Sequence, residues 1–142
     1  MALFFTKILC FARVEGTQMF PSLKDGDLTL CYCLPQQFRP DDIILYEQNG
    51  ENHFGRILSV EGNEINIDGS GAVKINNVLQ SGEILYPTYK KGTIQYPYKV
   101  PKNSVFVLGD YRKEIEDSRT YGAIVKTQIK GKVLTILRRR GL

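Results

Sequence analysis

Apolar and polar residues alternate along this chain in short runs that stop at turn residues. From Thr6 to Val14, Lys7, Leu9, Phe11 and Arg13 oppose Ile8, Cys10, Ala12 and Val14, with apolar groups on both faces, as in a mostly buried strand. A second run, Leu28 to Leu34, follows the tight turn Leu23-Lys24-Asp25-Gly26-Asp27. Pro35 and Pro40 bracket a loop, and Asp41-Asp42 open a strand from Ile43 to Glu47. Asn49-Gly50 at the centre of Gln48 to Glu51 predicts a hairpin into the strand His53 to Val60. Glu61-Gly62-Asn63 turns again into Glu64 to Ile67, and Ser104 to Leu108 and about Gln128 to Arg138 read as later strands. No long 3.6-residue pattern lies between these turns, so the expected class is mainly β, built of antiparallel sheets.

Three stretches stand apart from that pattern. Asp68 to Lys102 is irregular and rich in Tyr and Pro, and reads as a small inserted hairpin region within one domain, 1–142. Its Tyr86, Tyr89, Tyr96 and Tyr98 are expected to pack along the sheet edge; a surface for another protein is the alternative, since Tyr gives contact area at low entropic cost. Gly109 to Gly122, GDYRKEIEDSRTYG, is a charged loop at a strand end, in which Asp110, Asp117, Arg112 and Arg119 pair with one another and with backbone amides. Val14 to Leu23, VEGTQMFPSL, is a sharp loop: Gly16 frees the backbone, Pro21 sets its exit, and Gln18 stands at the apex before Met19. A primary amide has no ionisable proton and makes no acylating nucleophile.

Composition narrows the options. With 42% hydrophobic and 24% charged residues, the chain is globular rather than disordered. A net charge of +4 falls well short of a nucleic-acid arm, so no nucleic-acid partner is expected. Arg138-Arg139-Arg140 reads as a solvated tail, with anionic lipid headgroups as its functional alternative. Cys10, Cys31 and Cys33 do not form a paired framework, CxC is not a zinc signature, and all three read as small core residues. His53 is the only histidine, a surface or loop residue rather than a base. Neither metal nor cofactor is expected. Ala2 to Val14 is too short and too interrupted by Lys7 and Arg13 to span a membrane.

Four segments together make the chain similar to bacterial type I signal peptidases. The family's G-x-S-M-x-P-T-L loop is matched by Gly16-Thr17-Gln18-Met19-Phe20-Pro21-Ser22-Leu23, and its strand opening on Gly-Asp by Asp41-Asp42-Ile43-Ile44-Leu45-Tyr46. Its Lys-Arg-Val is met by Gly55-Arg56-Ile57, and its G-D-N-R-x-x-S-x-D-S-R-x-x-G loop by Gly109-Asp110-Tyr111-Arg112, Ile115, Asp117-Ser118-Arg119 and Gly122. The resemblance implies a signal-peptidase-like fold, with Gly109, Asp110, Arg112, Asp117, Ser118 and Arg119 as its structural loop. It also implies a groove for extended peptide formed by Gly16, Thr17, Gln18, Met19, Phe20, Pro21, His53, Phe54, Gly55 and Arg56.

The family's serine nucleophile falls at Gln18, its lysine base at Gly55 and the serine that orients the lysine at Ile115. From these three positions the chain is expected not to be an enzyme. It resembles instead the signal-peptidase-like accessory proteins of Gram-positive pilus assembly, which implies binding of pilin subunits or the sortase at the outer face of the cytoplasmic membrane. An N-terminal membrane anchor is expected to precede Ala2. The alternative is an active serine endopeptidase removing signal peptides. A self-cleaving repressor domain shares the Ser-Lys logic, but needs the same missing pair and a DNA-binding domain.

Overall fold

The computed structural model describes residues 8–33, 37–80, 87–88, 94–113 and 116–138. Eleven strands run through them: β1 Leu9–Arg13, β2 Leu28–Tyr32, β3 Ile43–Gln48, β4 Glu51–Val60, β5 Glu64–Ile67, β6 Val73–Ile75, β7 Val78–Leu79, β8 Tyr98–Lys99, β9 Ser104–Leu108, β10 Ile124–Val125 and β11 Ile129–Leu137. A single turn of helix, α1 Ser118–Tyr121, and a 3-10 turn, Lys126–Gln128, complete the order. The mainly β, antiparallel expectation holds.

Seven strands form one sheet in the order β1-β2-β11-β3-β4-β9-β10, and four form a second, β7-β6-β5-β8. The hairpin expected at Asn49-Gly50 forms with positive φ at both residues, 54° and 79°, as a two-residue primed turn requires. The irregular middle of the chain contains more structure than its composition announces. Asn76 and Asn77, at φ 51° and 68°, join β6 to β7 by the same kind of turn, and with β8 these short strands extend β5 into the second sheet. Asn, like Gly, tolerates the left-handed region, and the Asn-Asn pair was the signal there. Tyr96 and Tyr98 pack against the core between the sheets, beside Phe106. Tyr86 and Tyr89 lie outside the described residues.

Alternation sorts the core into three clusters. Leu58, Ile65, Ile67, Val73, Val100, Phe106 and Leu108 pack where β4, β5 and β9 meet. On β3, Ile44 and Tyr46 join Ile57, Val105, Val107 and Ile124. Leu45 points the other way and joins Phe54, its register partner, with Val14, Met19 and Leu23. This third cluster positions the apex loop: burying Met19 and Leu23, at 1% and 0% exposure, gains about 2 kcal/mol each and pins both sides of the turn.

The cysteines correct the expectation of three unpaired core residues. Cys10 and Cys33 form a disulfide with Cα atoms 6.3 Å apart, and Cys31 is free and buried. The sequence pattern did show two strands, but the pairing depends on register. Leu9 opposite Tyr32 sets Cys10 opposite Cys31, which brings Cys33, just past the strand end, within bridging distance.

Candidate functional site

The cleft lies between the apex loop and the first half of β4. β4 pairs with β3 along residues 51 to 56, but meets β9 only from Arg56, opposite Leu108. Among the described residues, Glu51 to Gly55 therefore have no strand on their β9 side. A cleft of about 880 Å³ borders this stretch, lined by Cys10 to Glu15, Gln18, Met19, Leu45, Glu51 to Phe54 and Lys130. An unpaired strand facing a groove is the arrangement by which sheets take up an extended peptide.

Local chemistry fixes the loop that forms one wall. Gly16 takes φ +88° and donates its N–H to the Asp25 carboxylate at 2.7 Å. The Phe20 N–H donates to the Thr17 carbonyl at 3.0 Å and the Leu23 N–H to the Met19 carbonyl at 3.0 Å, which closes the turn. At the apex, the Gln18 carbonyl accepts from the Tyr111 N–H at 3.1 Å, and its carboxamide donates to the Glu116 carbonyl. Gly109 allows this approach, because a Cβ there would stand 2.6 Å from the Gln18 carbonyl oxygen. Two loops distant in sequence are thus joined at Gln18.

Gly55 has a different surrounding. A Cβ at this position would lie 2.1 Å from Val107 Cγ1 and 3.1 Å from Tyr46 Cε1, so the space a side chain needs is already core. The Tyr46 hydroxyl hydrogen-bonds that of Tyr121, which donates to the same Glu116 carbonyl at 3.1 Å. Burial, foremost, raises both phenols far above the ordinary tyrosine range, so they stay neutral hydrogen-bonding groups. Ile115 lies outside the described residues.

Arg56 belongs to the framework rather than to the cleft. Its guanidinium grips Asp110 through two nitrogens at 2.9 and 2.8 Å, and donates to the Asp41 carbonyl at 2.9 Å. Ser22 donates to the same Asp110 carboxylate. The hydrogen bond to Asp110 raises the Arg56 pKa, in keeping with a fixed, bidentate pair. Asp110 therefore pairs with β4 and not, as the sequence suggested, inside its own loop. Arg112 instead donates to the Gly109 carbonyl at 2.9 Å and to the Thr88 hydroxyl, and burial lowers its pKa.

Within the last loop, the expected pairing of Asp117 with Arg119 is present. Asp117 caps α1 by accepting from the Arg119 N–H at 3.0 Å, and takes the Arg119 guanidinium at 2.7 Å, both groups fully buried. Its other contact, from the Gly109 N–H at 3.1 Å, ties the loop to the end of β9, and Ser118 accepts from the Val107 N–H at 2.9 Å.

Of the ten groove candidates read from the sequence, Gln18, Met19, His53 and Phe54 line the cleft. Gly16, Thr17, Phe20, Pro21, Gly55 and Arg56 are not part of its lining. His53 is the third residue of β4, with its ring 5.6 Å from that of Tyr46, so it is a strand residue on the cleft rather than a loop residue. Sequence reasoning missed the wall contributed by β1, Cys10 to Arg13, and missed Lys130, which pairs with Glu47 at 3.0 Å. The alternation of β1 showed a strand, but which strand borders the cleft is a matter of topology. Among the described residues no group of His, Cys, Asp and Glu is arranged to hold a metal ion, and no helix is long and apolar enough to cross a membrane.

Comparison with known proteins agrees with this geometry. Residues 1–137 match the family model described as signal peptidase, peptidase S26. The chain is 28% identical to signal peptidase I of Bacillus caldolyticus, over 84% of this chain and 74% of that protein. It is 25% identical to signal peptidase IB of Staphylococcus aureus, over 84% and 73%. A crystal structure of signal peptidase I from Enterococcus faecalis superposes with a TM-score of 0.56 at 25% identity, covering 70% of this chain and 98% of that one. These relatives are named as peptidases, and they overturn the expectation that the chain is not an enzyme. That expectation weighed three positions, one of them outside the described residues, against a scaffold that is a peptidase's over nearly its whole length. By its sequence, its sheets and its cleft, the chain belongs to the signal peptidase family, peptidase S26.

Proposed function

We propose that this chain serves the signal peptidase class of reaction, endoproteolytic removal of a signal peptide from an exported precursor at the outer face of the cytoplasmic membrane. The observation that carries the reading is the open β9-side edge of β4 at Glu51 to Phe54, residues that line the cleft together with Gln18 and Met19 of the apex loop. An extended segment laid there continues the ladder where β9 leaves off. Its backbone pairs with β4, and its side chains meet Leu45, Met19 and Phe54 below and Glu15, Glu51 and His53 at the rim. The apolar floor, with Ala12 in the wall, suits the small residues that precede a signal-peptide cleavage site.

Side chains 18 and 55 supply neither the hydroxyl nor the amine of the family's chemistry, so bond cleavage on this reading draws on other groups. The experiment is direct. The parent chain is incubated with a signal-peptide substrate bearing an Ala-x-Ala site, and products are identified by mass spectrometry, with calorimetry on the same peptide alongside. Cleavage at that site, abolished by filling the cleft with Ala12→Trp, is the expected result. A substrate left intact in the presence of bound enzyme rejects the peptidase reading.

A second reading assigns the same cleft to a segment of a pilin subunit or of the sortase during pilus assembly. What favours it is the fastening of the Gln18 carboxamide onto the Glu116 carbonyl, which gives the apex a fixed amide suited to holding a backbone. Calorimetry with purified pilin subunits, competed by the Ala-x-Ala peptide, separates the two.

A further inference from the structure

The Cys10–Cys33 bond lies at the one strand of the large sheet that both borders the cleft and has a single neighbour. Among the described residues β1 is an edge strand, paired only with β2, and Cys10 to Arg13 form a wall of the cleft. The two ends of β1 are held differently. At its C-terminal end, the Val14 N–H donates to the Asp27 carbonyl at 2.8 Å and the Val14 carbonyl accepts from the Gly26 N–H at 2.8 Å, next to the buried Met19 and Leu23. At its N-terminal end, among the described residues, the attachments past the ladder are the Cys33 N–H to the Ile8 carbonyl and the disulfide itself. Both cysteines are partly exposed as residues.

We propose that the Cys10–Cys33 disulfide is a site of thiol–disulfide exchange whose state sets how firmly β1 walls the cleft. The partner is a dithiol. One of its thiolates attacks a sulfur of the bridge, the Cys10–Cys33 bond breaks, and a mixed disulfide forms as the other cysteine leaves as thiolate. The second thiol of the partner then attacks the mixed disulfide. The chain keeps two thiols, which carry the two protons that the dithiol gives up, and the partner leaves oxidised as an intramolecular disulfide. Reduction frees the 8–11 end of β1, while the apex loop stays anchored through Met19 and Leu23.

Cys31 explains why the bridge returns to the same pair. It stands opposite Cys10 in register, but it is fully buried, its thiol 3.5 Å from the Thr29 hydroxyl, and burial raises its pKa. A buried, protonated thiol is a poor nucleophile, so Cys31 does not compete for Cys10. The sulfurs also have built space: on β11, a Cβ at Gly131 would lie 3.1 Å from Cys31 Cβ and 3.7 Å from Cys10 Sγ.

The test reduces the parent chain with dithiothreitol under native conditions and reads three quantities. Alkylation with mass spectrometry is expected to label Cys10 and Cys33 after reduction and Cys31 only on unfolding. Amide exchange over residues 9–13 is expected to rise about tenfold or more beyond any common rise in β3, β4 and β9. The Kd for the Ala-x-Ala peptide is expected to rise at least about fivefold on reduction, an effect that rests on the cleft binding peptide as proposed above. A bridge that resists dithiothreitol in the folded chain, exchange at 9–13 that does not change, or exchange that rises by the same factor at 9–13 and in β3, β4 and β9 overturns the proposal. The last result would make the bond a global staple. If no peptide binds in either state, the functional reading fails and labelling with exchange alone decides the exchange site. If peptide binds equally in both states, the link to the cleft is refuted while the functional reading stands. The double variant Cys10→Ser, Cys33→Ser is expected to behave as the reduced chain and to ignore dithiothreitol; should it not fold, reduction of the parent chain decides.

Discussion

Val107 fills the space that any side chain at position 55 would occupy: a Cβ on Gly55 would sit 2.1 Å from Val107 Cγ1. Real Cβ contacts are never this short, so one residue must yield. Gly55→Ala is expected to cost about 1–3 kcal/mol of unfolding free energy, and Gly55→Lys more, by overpacking. Val107→Ala opens the space at its own cavity cost, so combining it with Gly55→Ala should be less destabilising than the sum of the two by at least about 1 kcal/mol. Urea denaturation of the two single variants and the double closes this cycle, and additivity would show that position 55 is not sterically closed.

Gly109 makes a second close approach, with backbone rather than side chain. A Cβ there stands 2.6 Å from the Gln18 carbonyl oxygen, and a main chain held by Met19 and Leu23 cannot move aside cheaply. Gly109→Ala is expected to cost about 2 kcal/mol and to displace the apex loop. Exchange at the Tyr111 amide, which donates to Gln18, reports the displacement directly and should accelerate in the variant.

Asp117 and Arg119 form an ion pair with both groups buried, and Asp117 also caps α1 and receives the Gly109 N–H. Removing one charge strands the other in the interior. Asp117→Ala is therefore expected to destabilise by about 3–5 kcal/mol, and Asp117→Asn by a similar amount. Paired substitution with Arg119→Met should recover part of the loss, measured again by urea midpoints.

The Asp27 carboxyl is held below the usual carboxylate range, first by hydrogen bonds from Arg138 at 2.8–3.2 Å. Its folded pKa is thus lower than its unfolded one. The resulting stability is present above the unfolded value, about 4, and is lost as pH falls through the folded value. Asp27→Asn is expected to flatten the fall in urea midpoint below about pH 4, with the difference from the parent chain largest near neutrality. Equal slopes for the two proteins would show that the pair contributes nothing.

The disulfide closes a loop of 23 residues separation. In the loop-entropy account this corresponds to about 3 kcal/mol, so Cys10→Ser is expected to lower stability by about that amount in oxidised protein and by little in reduced protein.

Much of this was legible in order along the chain. Alternation located β1 to β5, β9 and β11, Asn49-Gly50 announced its hairpin, and the spacing from Gly16 to Leu23 and from Gly109 to Gly122 announced the two loops that meet at Gln18. The pairing of Asp117 with Arg119 was legible because the two residues are neighbours, and local geometry needs no fold. Asp110 was misjudged for the opposite reason: its partner Arg56 lies on another strand, 54 residues away.

What the chain's own pattern determined, then, is the class, the strands and the turns, because period-two burial and positive-φ residues act within a few positions. Three matters were decided by tertiary structure alone. The pairing of β1 with β2 brought Cys33 within bridging distance of Cys10 across 23 residues of sequence. The meeting of β4 with β9 only from Arg56 onward left the open edge on the cleft. The packing of Val107 against Gly55 closed a position that, in sequence, is merely a glycine. Each depends on which strand lies beside which and in what register, and a one-residue slip in pairing, which turns every side chain to the other face, would change all three.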